Sequence, residues 1–346
     1  MGIKLTKNFK VLVTGALFAF LMIFFLLAWP QNLNSYEKKI EIKSGFSLKT
    51  ISKILSDKGI VSNSKLFILA TKLLGKEREI PVGTFTLIDA NTNFSIIKQL
   101  VNSSPETINV KLLEGWNVKQ ISNELSKRLG FDLNELMNLS KNNSFLSNHN
   151  IKAKSVEGYL FPDTYKIFLG ATPISVFNLL VNKHNGFWIN SYELRAKELN
   201  LTKHEIITLA SIIEGEAIFD SERARISGVY HNRLKLKMKL QADPTIQYII
   251  NDSPRRLLNH DLKIDSPYNT YLHKGLPPGP INSPGKESLI AALYPEKNDY
   301  IYFVARGDGF HTFSVNKRQH NIAKKQFQIV RNKYKKKKNN AKTKIK

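Results

Sequence analysis

Apolar and polar positions change period several times along the chain, and each change marks an element. From Val11 to Trp29, "VLVTGALFAFLMIFFLLAW", there is no charged residue. As a helix rising about 1.5 Å per residue the run is roughly 29 Å long, close to the ~30 Å hydrocarbon core of a bilayer. It exceeds the ~7–15 residues of a signal-peptide core and no small-x-small cleavage site follows, so a membrane-spanning helix over 11–29 is expected rather than a cleaved leader. Lys4, Lys7 and Lys10 precede it, which by the positive-inside rule leaves residues 1–10 in the cytoplasm and everything after Trp29 outside it. Beyond a polar linker at 30–38, Ile40 and Ile42 alternate as in a strand. The chain then turns at Ser44-Gly45, and Leu48, Ile51, Ile54 and Leu55 fall at helical spacing.

The same succession returns in "VKLLEGWNVKQISNEL". Gly45, Phe46, Leu48, Lys49, Ile51, Ser52 and Leu55 match Gly115, Trp116, Val118, Lys119, Ile121, Ser122 and Leu125 at a constant offset of 70 residues. Such periodicity marks an internal repeat. Between the copies the pattern predicts a strand near Thr84–Leu87 and a helix from about Ser95, so 39–108 reads as a β-α-α-β module with a further helix. Residues 109–150 read as a second copy with its connection. Repetition points to binding or scaffolding rather than chemistry. Phe46 and Trp116 suit either of two roles, packing the turn onto its helix or stacking on a glycan.

From 151 to 330 the loops become rich in Pro, Tyr and Gly: "EGYLFPDTY", "LQADPTIQY", "SPYNTYLHKGLPPGPINSPG" and "YIYFVARGDGFHTFS". Rigid loops carrying Tyr, Asn, Gln, Asp and His on a helical scaffold suit a polar substrate. The buried element here is the helix containing "LASIIEGEA". Thr202 and Glu205 form a T-x-x-E capping box, and Ile206 to Ile213 leave almost no polar face. Glu214 and Glu216 end that helix on opposite flanks of its apolar stripe, so only one is expected in a cleft. The negative end of the helix dipole and the apolar surroundings both favour a protonated carboxyl, the form a general acid needs. The alternative is an acid neutralised by Arg223 or Arg225.

Charge and composition narrow the picture. The net charge of +24 over 346 residues includes "RNKYKKKKNNAKTKIK" at 331–346, which reads as an unstructured basic tail. The excess fits solvated faces or attraction to anionic lipid or wall polymer, and an exported domain makes nucleic acid an unsuitable partner. The chain has no cysteine, hence no disulfide framework or thiolate site. His231, His260, His273, His311 and His320 follow no metal-binding spacing, and neither G-x-S-x-G nor a phosphate-cradling glycine loop occurs. No metal or cofactor is expected.

On "EGYLFPDTY", "LASIIEGEA", "LQADPTIQY", "YNTYLHKGLPPGPINSPG" and "YFVARGDGFHTFS" the chain resembles the endolytic murein transglycosylases, the YceG-like family. The resemblance implies an α+β protein with one N-terminal transmembrane helix, LysM-like modules and a mixed α+β catalytic domain at 151–330. It further implies non-hydrolytic cleavage within peptidoglycan strands, leaving a 1,6-anhydro-N-acetylmuramic acid end. Glu216, the second acid of the family motif, would be the catalytic residue, with Glu214 as the secondary candidate. Partners implied are peptidoglycan glycan strands and penicillin-binding glycan polymerases at the inner membrane. Gln241, Asp243, Asn269, Tyr271 and His311 are the substrate-binding candidates. Two positions depart from the family pattern: Gly215 stands where lysine is usual, and Gly-Phe and Gly-Trp stand where LysM sequences commonly have Gly-Asp. A non-catalytic peptidoglycan-binding scaffold is the alternative function. A lysozyme-like hydrolase would need a second carboxylate, for which Asp243 is available.

Overall fold

A computed structural model describes residues 7–31, 38–43, 45–88, 90–102, 104–250 and 254–343, with side chains from 9 to 333. Most of the linker expected at 30–38 lies outside the described residues. Contacts divide the chain into two compact units, Met1–Asn109 with Tyr165–Thr172, and Val110–Thr164 with Pro173–Lys346. The mixed α+β class is as expected.

In the first unit, α1 (Lys7–Ala28) carries the uncharged run. Its span Phe9–Ala28 has a mean hydropathy of 2.7 and none of it is buried, so it is long and apolar enough to cross a bilayer and is not a core helix. The order β1 (Lys38–Ile42), α2 (Leu48–Asp57), α3 (Ser64–Leu73), β2 (Gly83–Leu87) is the predicted β-α-α-β, followed by α4 (Asn93–Asn102). β1 and β2 pair antiparallel with Ile40 opposite Phe85. Period-two alternation puts Ile40, Ile42, Phe85 and Leu87 on one buried face. The Ser47 hydroxyl caps α2 and the Asn63 side chain caps α3. Ile51, Leu55, Phe67, Ile96 and Leu100 then close one apolar cluster with the strands, and Phe46 packs against it. Each such side chain contributes about 1.5–3 kcal/mol on burial, which lets a cysteine-free unit fold. In the first repeat copy, then, the turn aromatic is part of the packing.

Strands β3 (Thr107–Lys111) and β4 (Thr164–Phe168) form a second two-stranded sheet. The second repeat copy becomes α5 (Val118–Leu129), opened by a reciprocal Asn117–Gln120 capping box and closed by Gly130 in the left-handed conformation. Its turn is bound into the second unit through main-chain groups. Gly115 N–H donates to Ser283 O at 2.9 Å, and Ser283 N–H donates to Trp116 O at 2.8 Å. The 109–150 segment therefore belongs, from Val110 on, to the same compact unit as the bulk of 151–330. After α6 (Leu133–Leu139), α7 (Asn143–Asn148), α8 (Pro173–Phe187) and α9 (Asn190–Glu198) comes α10 (Lys203–Glu216), the helix of the opening box. Thr202 and Glu205 cap it reciprocally, and every residue from Ile206 to Ile213 is buried.

Helix α10 packs against α9, α11 (Asp220–Lys235), α12 (Asp243–Ile249) and α13 (Lys286–Leu293). Gly158, in "EGYLFPDTY", has φ +82°, and a Cβ there would lie 2.5 Å from Pro280 and 3.0 Å from Ile207. Only glycine lets that loop pass between α10 and the proline-rich segment. The hairpin β5 (Tyr302–Ala305) and β6 (His311–Ser314) is covered by α14 (Lys317–Thr343). This helix runs on into the segment from 331 that composition marked as unstructured, since lysine is a good helix former once a packed turn has nucleated it.

Because the Thr202 hydroxyl satisfies the Glu205 N–H at 3.2 Å, Thr202→Ala is expected to cost about 1 kcal/mol, and Thr202→Ser close to nothing. Urea unfolding of the full chain in detergent measures both.

Candidate active site

The two acids ending α10 have different partners. Glu214 lies 3.2 Å from Arg223, with both side chains 7% exposed. It also accepts the Gly285 N–H at 3.0 Å. The arginine-neutralised alternative thus describes Glu214, whereas Arg225 pairs with Glu296 at 2.9 Å. An ion pair this buried, with its second oxygen bonded, is a structural tie.

Glu216 instead opens onto a cleft of about 720 Å³. The Tyr230 hydroxyl, from the buried face of α11, donates to its carboxyl at 3.0 Å. Removal of water around the carboxyl, and next the negative charge of Asp243, push its pKa up to about 8. Hydrogen bonds from Tyr230 and the Asp243 N–H, and the Arg233 charge, oppose that rise without reversing it. Such a group is roughly nine-tenths protonated at pH 7, against about 0.2% for an ordinary glutamic acid. The upward direction is the one expected from the sequence, and the Asp243 charge is a cause the sequence did not display.

Gly215 explains how Asp243 comes so near. A Cβ at 215 would sit 2.5 Å from Pro244 Cβ and 2.7 Å from its Cγ. Glycine at 215 lets Pro244, in the first turn of α12, seat directly on the end of α10. Asp243 in turn accepts a hydrogen bond from the Tyr271 hydroxyl.

The second repeat copy supplies cleft residues that sequence reasoning assigned to a separate module. Asn117, Lys119, Gln120 and Asn123 line the cleft with Gln247 and Tyr248 of α12. Asn282, from "PINSPG", joins them, held by its Nδ2 donating to Ser211 O at 2.9 Å. Behind this lining, the buried Glu157 carboxyl accepts the Val118 N–H at 3.0 Å and a hydrogen bond from Tyr248. Burial pushes its pKa up to about 8.

Of the residues nominated from the sequence, Glu216 and Asp243 line the cleft and Tyr271 reaches it through Asp243. The other three are placed differently. Gln241 is exposed, with φ +50°, and its N–H donates to Thr270 O, so it shapes the turn into α12 from outside the cleft lining. Asn269 is wholly buried. Its Nδ2 donates to Leu262 O and Ile264 O, and its Oδ1 accepts the Tyr271 N–H, which uses it up inside its own loop. His311 Nδ1 lies 2.9 Å from Glu222 and its N–H donates to the same carboxylate. Its ring meets Phe303 edge-on, and Phe303 meets Tyr230 likewise, so His311 braces the hairpin behind the site. Tyr230 and Arg233 were missed, since no motif spacing connects α11 to Glu216.

The sequence model of the YceG-like family matches residues 40–326. The chain belongs to the YceG-like family. A Bacillus subtilis (strain 168) protein named endolytic murein transglycosylase is 32% identical over 304 residues, covering 83% of this chain and 84% of that one. A protein of the same name from Streptococcus pneumoniae serotype 2 is 27% identical over 312 residues, and the match spans 56% of its length. Among solved structures, a YceG-like protein from Listeria monocytogenes matches with a TM-score of 0.58 at 30% identity, covering 83% of this chain and 99% of that one. The family fold thus extends over both units described above.

Two outcomes test the electrostatics of this YceG-like site. Tyr230→Phe removes a donor that favours the anion, so the Glu216 carboxyl should titrate above its native value of about 8. Asp243→Asn removes a repelling charge, so it should titrate lower. Carbon-13 titration of labelled glutamates reads both shifts. Glu157 and Glu216 have folded pKa values raised from 4.5 to about 8. Their contribution to stability is therefore complete below about pH 4.5 and is lost as pH rises through 8. Glu157→Gln should flatten that fall in pH-dependent urea unfolding.

Proposed function

We propose that the chain is a membrane-anchored endolytic lytic transglycosylase of peptidoglycan. The observation that carries the reading is the setting of Glu216: its carboxyl lines a cleft of polar side chains, accepts from the Tyr230 hydroxyl at 3.0 Å, has no ion-pair partner among the described residues, and has its pKa pushed up to about 8 by burial. The family membership and the name of the Bacillus relative supply the substrate class.

In this mechanism Glu216 donates its proton to the glycosidic oxygen between N-acetylmuramic acid and N-acetylglucosamine, and the C1–O bond breaks. The resulting carboxylate takes the proton of the muramoyl C6 hydroxyl as O6 bonds to C1. The proton count balances with no water consumed, and Glu216 ends protonated again. One carboxyl serves both steps because the nucleophile belongs to the substrate. Asp243 has two effects in this scheme: its charge keeps Glu216 protonated beforehand and stabilises oxocarbenium charge developing at C1. Asn117, Gln120, Asn123 and Asn282 offer amides to the sugar hydroxyl and acetamido groups.

The remaining elements fit the same task. The apolar helix α1 would anchor the chain in the inner membrane with its N-terminus cytoplasmic and both units outside. The β-α-α-β unit would act as a LysM-like module holding glycan near the membrane. Cleavage there would end or size nascent strands beside penicillin-binding glycan polymerases. The second reading, hydrolysis, is favoured by one observation, that Asp243 is a second carboxylate lining the cleft.

Full-length protein and its Glu216→Gln form, incubated with purified strands, should differ by about 10²–10⁴-fold in product formation, as loss of an essential acid–base group implies. Mass spectrometry should find anhydro-muramoyl ends. Reducing ends would mean the hydrolase, and no cleavage by either form would favour the non-catalytic scaffold. Cleavage should also fall away above about pH 8, where Glu216 loses its proton.

A further inference from the structure

A second pocket, of about 570 Å³, lies within the same unit and shares a wall with the cleft. Glu157 lines it, and the carboxyl of Glu157 bonds Tyr248, which lines the cleft. Tyr268, on the pocket side, packs on Tyr248 with ring centroids 5.0 Å apart. The linings of the two cavities are thus in direct contact through the Glu157 carboxyl and the Tyr248 and Tyr268 rings. The second pocket differs from the cleft in chemistry. Pro267, Pro278 and Pro280 contribute a rigid apolar lining, and Lys152 and Lys154 contribute two exposed ammonium groups. Among the described residues neither lysine meets a carboxylate within ion-pair distance. The acid in the lining, Glu157, is held largely uncharged by burial, so it does not cancel the lysines.

A neutral sugar has no use for two unpaired ammonium groups. A short peptide of small apolar residues bearing free carboxylates uses both the apolar lining and the charges. In peptidoglycan such a peptide hangs from the muramoyl residue itself, one lactyl ether away from the sugar that occupies the cleft. Resting on the transglycosylase reading for what fills the cleft, we propose that this second pocket receives the acidic stem peptide of the bound strand. The strand is then held at two points, and the second contact is intramolecular once the sugar is seated. Two exposed lysine–carboxylate contacts, each a factor of about 2.2 to 3.2, give about a fivefold to tenfold preference for stem-bearing over denuded strands.

The test uses the full chain in detergent carrying Glu216→Gln, so that strands are bound and not consumed. The dissociation constants of fluorescently labelled strands are measured with stems intact and after the stems are removed by an amidase. Stem-bearing strands should bind about fivefold to tenfold tighter, the ratio should shrink to below about twofold in Lys152→Ser/Lys154→Ser, and it should fall with added salt. Equal binding of the two strands, or a ratio that survives the double substitution, overturns the peptide pocket. Cleavage of both strands by the wild-type chain is scored separately. Stem-dependent binding without cleavage would sink the transglycosylase reading and leave the pocket, whereas cleavage with equal binding would do the reverse.

Discussion

The site depends on a missing side chain. With no Cβ at Gly215, Pro244 reaches the end of α10, and the first turn of α12 delivers both the charge and the N–H of Asp243 to Glu216. A methyl group there would require a shift of about an ångström at a backbone-constrained proline, since carbon–carbon contacts settle near 3.5–4.0 Å. The consequences run outward from that contact. Asp243 is braced by Tyr271, the Tyr271 N–H by Asn269, and Asn269 by the carbonyls of Leu262 and Ile264. A loop rich in polar residues is thereby turned into a rigid support for one carboxylate.

The helix end also gives two acids of the same type two different surroundings. Glu214 receives a guanidinium and a backbone donor, and its job is to hold α10 to α11 and to the start of α13. Glu216 is stripped of water and faces the Asp243 anion, and these two effects keep the proton on it against the opposing hydrogen bond from the Tyr230 phenol. At Glu216, burial and the Asp243 charge outweigh the Tyr230 and Asp243 N–H donors and the Arg233 charge. Acid–base chemistry by a single group requires such a balance, with the proton held near the working pH rather than lost or locked.

Much of the fold was legible because local signals determined it. The β-α-α-β order followed from the two-residue alternation at Ile40 and Ile42 and the helical spacing after Gly45, and α10 followed from the Thr202–Glu205 box. Glu216, the acid proposed here, was legible as a carboxylate ending an apolar helix. What the sequence concealed depends on contacts far apart in the chain. The second repeat copy has the local pattern of the first, yet its turn is satisfied by Ser283, so the same pattern becomes part of the cleft instead of a module. Asn269 and His311 were polar residues in loops, as binding residues are, but their hydrogen-bonding groups are used by Leu262, Ile264 and Glu222. Tyr230 gave no signal, and Asn282 lay in a loop marked as suited to a polar substrate without being singled out, since their importance is set by where α11 and the 281–285 loop pass α10.

The central claim is that the sugar's own C6 hydroxyl, rather than water, attacks C1 while Glu216 handles the proton. Cleavage of strands in water enriched in oxygen-18 tests it directly, because only an external nucleophile carries the label into the new end. The account predicts new muramoyl ends free of oxygen-18 and lighter than reducing ends by the mass of one water. Incorporation of one oxygen-18 atom per cleavage would contradict it and assign the attack to a water activated beside Asp243.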